Sequence, residues 1–140
     1  MPAWLTYALL ATLFAGLTAV LAKFGIQKIN ADLGLAVRTA VIFLLVMINV
    51  FVWGAYKEFQ LLTARSIFFL SLSGVTAALS WIYYYRAVKL GNVSYVAAID
   101  KSSIVITILL STLLLKEPLT AKLALGAGLI VSGMVVLLWK

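Results

Sequence analysis

An all-α integral membrane protein with five transmembrane helices is the fold class this sequence predicts, and three observations predict it. Of 140 residues, 65% are apolar and 11% charged, against about 45–50% and about 25% in a soluble domain. So few charged side chains cannot face water over the surface of a domain this small, so the solvent around most of the chain is lipid. The apolar residues gather into five stretches of about 20, the length a helix needs to cross about 30 Å of hydrocarbon. The polar residues between them form connections too short to hold a soluble domain.

The stretches run over residues 3–22, 33–54, 66–88, 93–115 and 121–138. The first lacks a basic leader and is too long for the apolar part of a signal peptide, so it is expected to remain as a span. Lys23, Lys28, Asn30 and Asp32 separate it from the second, whose run from Val41 to Val52 is continuously apolar. Barrel strands would instead alternate over about ten residues, which excludes them. Lys57, Glu58 and Arg65 mark the next connection, and Lys89, Gly91 and Asn92 the one after. Before the last span, Lys116, Glu117, Pro118 and Thr120 read as a turn followed by a capped helix start. Ala124 and Gly128 in that span have the small-xxx-small spacing that lets helices approach closely.

The 11 Lys and Arg against 4 Asp and Glu give +7. In a soluble chain that excess would suggest an acidic partner. Here the basic residues sit at the ends of apolar runs, so the expected partner is the lipid bilayer and no nucleic acid. Neither cysteine nor histidine is present, which excludes a disulfide framework, a Cys/His metal site, thiol catalysis and a histidine proton switch. No cofactor fingerprint or nucleophile–base arrangement stands in any loop, so neither a cofactor nor an enzyme is expected.

Lys and Arg normally concentrate on the cytoplasmic side. The side holding the N-terminus carries Lys57, Arg65, Lys116 and Lys122; the other carries Lys23, Lys28, Arg86, Lys89 and Lys140, with Arg38 joining them if it snorkels outward. So even a balance does not set the orientation: either another feature sets it, or, the sharper reading, the chain inserts both ways. An odd number of spans inverted against itself then gives the two-fold related halves on which many transporters are built.

Arg38 and Asp100 stand within apolar spans, where an ionisable side chain is costly and is a functional candidate by default. Both lie some way in from span starts expected on the same membrane side, so they can pair. That pair can be part of a site or a static contact that fixes packing. Ser103, Thr107 and Ser111 follow Asp100 on one helical stripe, and Ser73, Thr76, Ser80 and Tyr84 form a second stripe on the preceding span. Two polar faces on consecutive helices suggest a cavity, although such hydroxyls also bond to their own helix carbonyls. Lys101 points about 100° away from Asp100 on a regular helix; it either snorkels to the interface or, desolvated, holds an anion or exchanges a proton. Trp81, Tyr83, Tyr85 and Arg86 read as an interfacial belt, with Tyr84 assigned to the site. The candidate substrate or ion site is therefore Arg38, Ser80, Tyr84, Asp100, Lys101, Ser103 and Thr107.

Arg86-Ala-Val-Lys-Leu-Gly-Asn-Val-Ser, then Asp100-Lys-Ser-Ser, Leu115-Lys-Glu-Pro-Leu-Thr and Gly126-Ala-Gly-Leu-Ile-Val-Ser-Gly resemble the second half of an EamA domain. Lys23 and Arg38-Thr suit the first half, so the resemblance covers nearly the whole chain. It implies the drug/metabolite transporter superfamily, with residues 1–140 as a single domain equivalent to one half-transporter repeat. Most relatives carry two such domains in inverted orientation, so pairing with a second inverted copy or a homologous subunit is implied, as is the plasma (inner) membrane of a prokaryote. Two departures stand out. Relatives usually have a proline early in the fourth span, where this chain reads Ser102-Ser103-Ile104. The small multidrug resistance branch depends on a carboxylate in its first helix, and residues 3–22 hold none.

The expected function is a secondary transporter of a small metabolite working by alternating access, with the basic side chains favouring a carboxylate or phosphate on the substrate. Two alternatives are a non-transporting membrane subunit that stabilises or regulates a partner and a component of a lipid-carrier flippase.

Overall fold

The computed structural model describes residues 2–139. Among them the regular structure is helical, with no strand: α1 (Ala3–Gly25), α2 (Ala31–Val52), a 3-10 segment (Ala55–Leu61), α3 (Ala64–Leu90), α4 (Val93–Asp100), α5 (Ser103–Leu114) and α6 (Ala121–Leu138). Five segments are long and apolar enough to cross a membrane, the fourth being α4 and α5 together. Lys140, included in the charge balance, lies outside the described residues.

Local chemistry explains where the helices differ from the apolar stretches. Residue 31 rather than 33 opens α2 because the Asn30 side chain accepts the Asp32 N–H at 2.7 Å, a capping bond that supplies an orphan donor with its partner. Gly54, at φ +69°, closes α2 in a left-handed turn that a side chain would resist. Thr63 accepts the Ser66 N–H at 3.2 Å and starts α3. Thr120 accepts the Leu123 N–H at 3.2 Å and caps α6, as its position after Pro118 suggests.

The fourth span departs from the expectation of a continuous helix. Between Ile99 and Val105 the ladder tightens: Ser102 N–H bonds to the Ile99 carbonyl, Ile104 N–H to Lys101 and Val105 N–H to Ser102. These three-residue spacings are 3-10 rather than α geometry. The Ser102 hydroxyl also donates to the Ile99 carbonyl at 2.7 Å, so a serine distorts the helix where relatives are expected to use proline.

The described residues form two compact units, one up to Leu90 and one from Gly91 on. In the first, α1, α2 and α3 pack most tightly where α1 ends, α2 begins and α3 ends. Ala19, Ala22, Ile26, Ala31, Leu35, Tyr85 and Val88 are buried there. Gly34 allows this closeness, because a Cβ at that position would stand 2.5 Å from Ile26 Cγ2. Charged groups clamp the same end. Lys23 Nζ donates to the Val88 carbonyl at 2.6 Å, and Lys89 Nζ donates to the carbonyls of Ile26 and Gln27. Each ammonium satisfies carbonyls at a helix end, where the dipole also favours positive charge. In the second unit α4 packs against α6, and α4, α5 and α6 contain no fully buried residue. Most large apolar side chains of both units are exposed. Against lipid tails as apolar as leucine, such exposure carries little penalty.

Candidate substrate groove between α2 and α3

Arg38 sits on the face of α2 that meets α3, and its surroundings are aromatic. Its guanidinium carbon is 3.6 Å from the centre of the Trp81 ring and 5.7 Å from that of Tyr85. At the shorter distance the guanidinium must lie flat on the indole, since an edge-on approach would put hydrogens between Cζ and the ring. The ring quadrupole then stabilises the charge that the membrane penalises. Trp81, Tyr84, Tyr85 and Val88 follow i, i+3, i+4, i+7 spacing on α3, which is why the rings cluster. Trp81 is 5.6 Å from Tyr84 and 6.1 Å from Tyr85, both edge-on.

A groove of about 800 Å³ opens between the two helices, lined from α2 by Asp32, Leu35, Ala36, Arg38, Thr39 and Ile42 and from α3 by Gly74, Ala77, Ala78, Trp81, Ile82 and Arg86. Small residues at 74, 77 and 78 leave the space that larger side chains would fill. One end is charged: Arg86 donates Nε–H and Nη2–H to the two carboxylate oxygens of Asp32 at 3.0 and 2.9 Å. A second cavity of about 380 Å³ lies between α1 and α2, and Arg38 and Tyr85 line it too.

Of the site residues taken from the sequence, Arg38, Ser80 and Tyr84 lie in the first unit. Arg38 reaches the groove, Tyr84 supports its aromatic wall, and exposed Ser80 is not among its lining residues. Asp100, Lys101, Ser103 and Thr107 lie in the second unit. There Lys101 Nζ is 3.4 Å from Asp100 Oδ2, whereas a regular helix would point the two apart. Thr107 donates to the Ser103 carbonyl and Ser111 to the Ile108 carbonyl, the local back-bonding open to any such hydroxyl. Among the described residues no group of three or more His, Cys, Asp or Glu could hold a metal.

Sequence reasoning missed Asp32, Trp81, Tyr85 and Arg86 as site residues. A signal existed for two of them: opposite charges near the start of α2 and the end of the antiparallel α3 stand at matching depth.

The EamA-like transporter family matches residues 2–139. A protein of Sinorhizobium sp described as an uncharacterized transporter in the cobO 3′ region is 39% identical over 134 residues, which cover 96% of this chain and 95% of that protein. No solved structure gives a significant match.

Proposed function

The chain belongs to the EamA-like transporter family, and from that premise we propose that it carries a small metabolite across a prokaryotic inner membrane by alternating access. The working unit is an antiparallel homodimer of dual topology, or a pair with a homologous subunit. The observation that carries this reading is Arg38, a charged side chain inside a membrane span, stacked on Trp81 beside a groove large enough for a small molecule. Grooves of about 300–1,000 Å³ with few polar groups on apolar walls are the usual form of small-molecule sites. The near balance of Lys and Arg between the two sides supports the inverted pairing. Within the second unit, Asp100 and Lys101 stand at the interrupted fourth span and are proposed to hold substrate or a coupling ion there, because broken membrane helices commonly do so.

A single cysteine at Gln27 or at Gln60 tests the topology without changing charge or removing a cap. Impermeant maleimide applied to intact cells is expected to label each site in part, with the remainder appearing after permeabilisation. Full labelling at one and none at the other overturns dual insertion. Transport is tested by Asp100→Asn, which is expected to abolish substrate flux while leaving assembly intact. Lost assembly with unchanged flux would favour a stabilising subunit instead, a reading supported by Gly126 and Gly133, which share one face of α6 with nothing within 4 Å of their Cβ directions.

A further inference from the structure

We propose that the α2–α3 groove selects an amphipathic monocarboxylate: one negative charge held by Arg38 on a body that lies along apolar walls. The inference rests on the reading of this groove as a substrate site and adds the class of substrate.

The geometry of Arg38 sets the charge. Stacking on Trp81 occupies the face of the guanidinium and leaves its in-plane N–H donors pointing sideways. Among the described residues of the first unit, no hydrogen-bond acceptor or carboxylate engages them. A rigid planar fork with free donors matches the two oxygens of a carboxylate. The other cation of the groove is already committed, because Arg86 spends Nε–H and Nη2–H on Asp32. Two arginines and one aspartate leave a single uncompensated positive charge. In a low-dielectric groove a monoanion neutralises it, whereas a dianion leaves a residual charge whose desolvation is opposed. A cation meets Arg38 directly and is repelled.

The walls set the body. Moving inward from Arg38 along the two helices, the lining becomes Ile42 on one side and Ala78, Ala77 and Gly74 on the other. These surfaces offer dispersion contacts and no polar partner. A hydrocarbon or aryl group attached to the carboxylate fills this part, while a polyhydroxylated body would lose its hydration there without replacement.

The test uses the full chain in nanodiscs of zwitterionic lipid and three probes of one shape: 4-phenylbutyrate, 4-phenylbutyramide and 4-phenylbutylamine, titrated calorimetrically. The carboxylate is expected to bind at least about tenfold more tightly than the amide or the amine, because the amide offers the fork one uncharged acceptor oxygen and the ammonium none. Arg38→Lys, which keeps the charge but not the fork, is expected to lose most of that preference. Equal binding of acid and amide, no binding of the acid, or unchanged preference in Arg38→Lys overturns the proposal, and the probe series needs no variant to fold. Phosphatidylglycerol added to the discs distinguishes the source of the anion. Abolition of phenylbutyrate binding by this lipid would assign the groove to a lipid headgroup and overturn the small-carboxylate reading. Counterflow in proteoliposomes is read separately: carboxylate binding without counterflow leaves this inference standing and sinks transport, while counterflow with no acid preference does the reverse.

Discussion

Arg86 Nε–H and Nη2–H meet both carboxylate oxygens of Asp32 across 54 residues of sequence, at 3.0 and 2.9 Å. This side-on fork ties the first turn of α2 to the end of α3. It also sets the charge of the groove in which Arg38 lies. Substituting Asp32→Asn keeps the shape and removes the neutralising charge, so the groove carries two positive charges instead of one. Affinity for 4-phenylbutyrate should then rise several-fold, with a larger gain at low salt than at high salt. Adding Arg86→Gln to the same chain should return the affinity towards its starting value. No gain in the single variant would mean that Asp32 does not shape the field at Arg38.

The reciprocal lysine contacts predict a stability effect located at one end of the first unit. Lys89 holds the carbonyls of Ile26 and Gln27, and Lys23 holds that of Val88. A hydrogen bond from a charged donor contributes about 1.5–3 kcal/mol, so Lys89→Met should lower unfolding stability by roughly that amount. Denaturant unfolding in detergent micelles checks it. Because both lysines clamp the same helix ends, Lys23→Met and Lys89→Met should combine non-additively. Strict additivity would show that the two contacts are independent.

Those lysines also show what the sequence conceals. Lys23 and Lys89 read as topology signals at span ends, and their position there is right, but hydropathy carries no information about which carbonyls an ammonium reaches. The five spans were legible because composition and length suffice to define them. Arg38 was legible as a charge in an apolar run. Its partners were not, since meeting Trp81 and Tyr85 depends on how α2 and α3 are rotated about their axes, a packing outcome. The Asp32–Arg86 pair was hidden differently: each residue was explained singly, one as loop punctuation and the other as part of an aromatic belt. At the fourth span, the search for helix distortion followed proline, while here the hydroxyl of Ser102 bonds to the Ile99 carbonyl within the tightened turn.

Gly34 should be intolerant of a methyl group that other helical glycines accept. Its would-be Cβ stands 2.5 Å from Ile26 Cγ2, a branch close to the backbone of a residue only 2% exposed. Neither partner has room to yield, so Gly34→Ala should cost about 1–3 kcal/mol through overpacking. Gly16 in α1 has nothing within 4 Å of its Cβ direction. There Gly16→Ala should be neutral or stabilise by about 0.5–1 kcal/mol through helix propensity. Thermal unfolding of both variants decides the matter, and similar shifts in the two would remove the close approach of α1 and α2 as the cause.

Lys116 provides a test in the second unit. It follows α5 with φ at +57°, the one non-glycine residue at positive φ among those described. This left-handed step carries the chain back on itself, and the Ser111 carbonyl accepts N–H groups from both Leu115 at 3.0 Å and Glu117 at 3.3 Å. An L side chain in that conformation costs about 1–2 kcal/mol, which glycine avoids and asparagine reduces. Against this, a positive charge at a helix C-terminus contributes about 0.3–1 kcal/mol. Lys116→Gly should therefore stabilise the chain by about 0–1.7 kcal/mol, the difference between relieved strain and lost charge. Lys116→Ile, which adds β-branching and removes the charge, should destabilise it. Destabilisation by both variants in unfolding measurements would show that the ammonium, rather than the backbone turn, stabilises this junction.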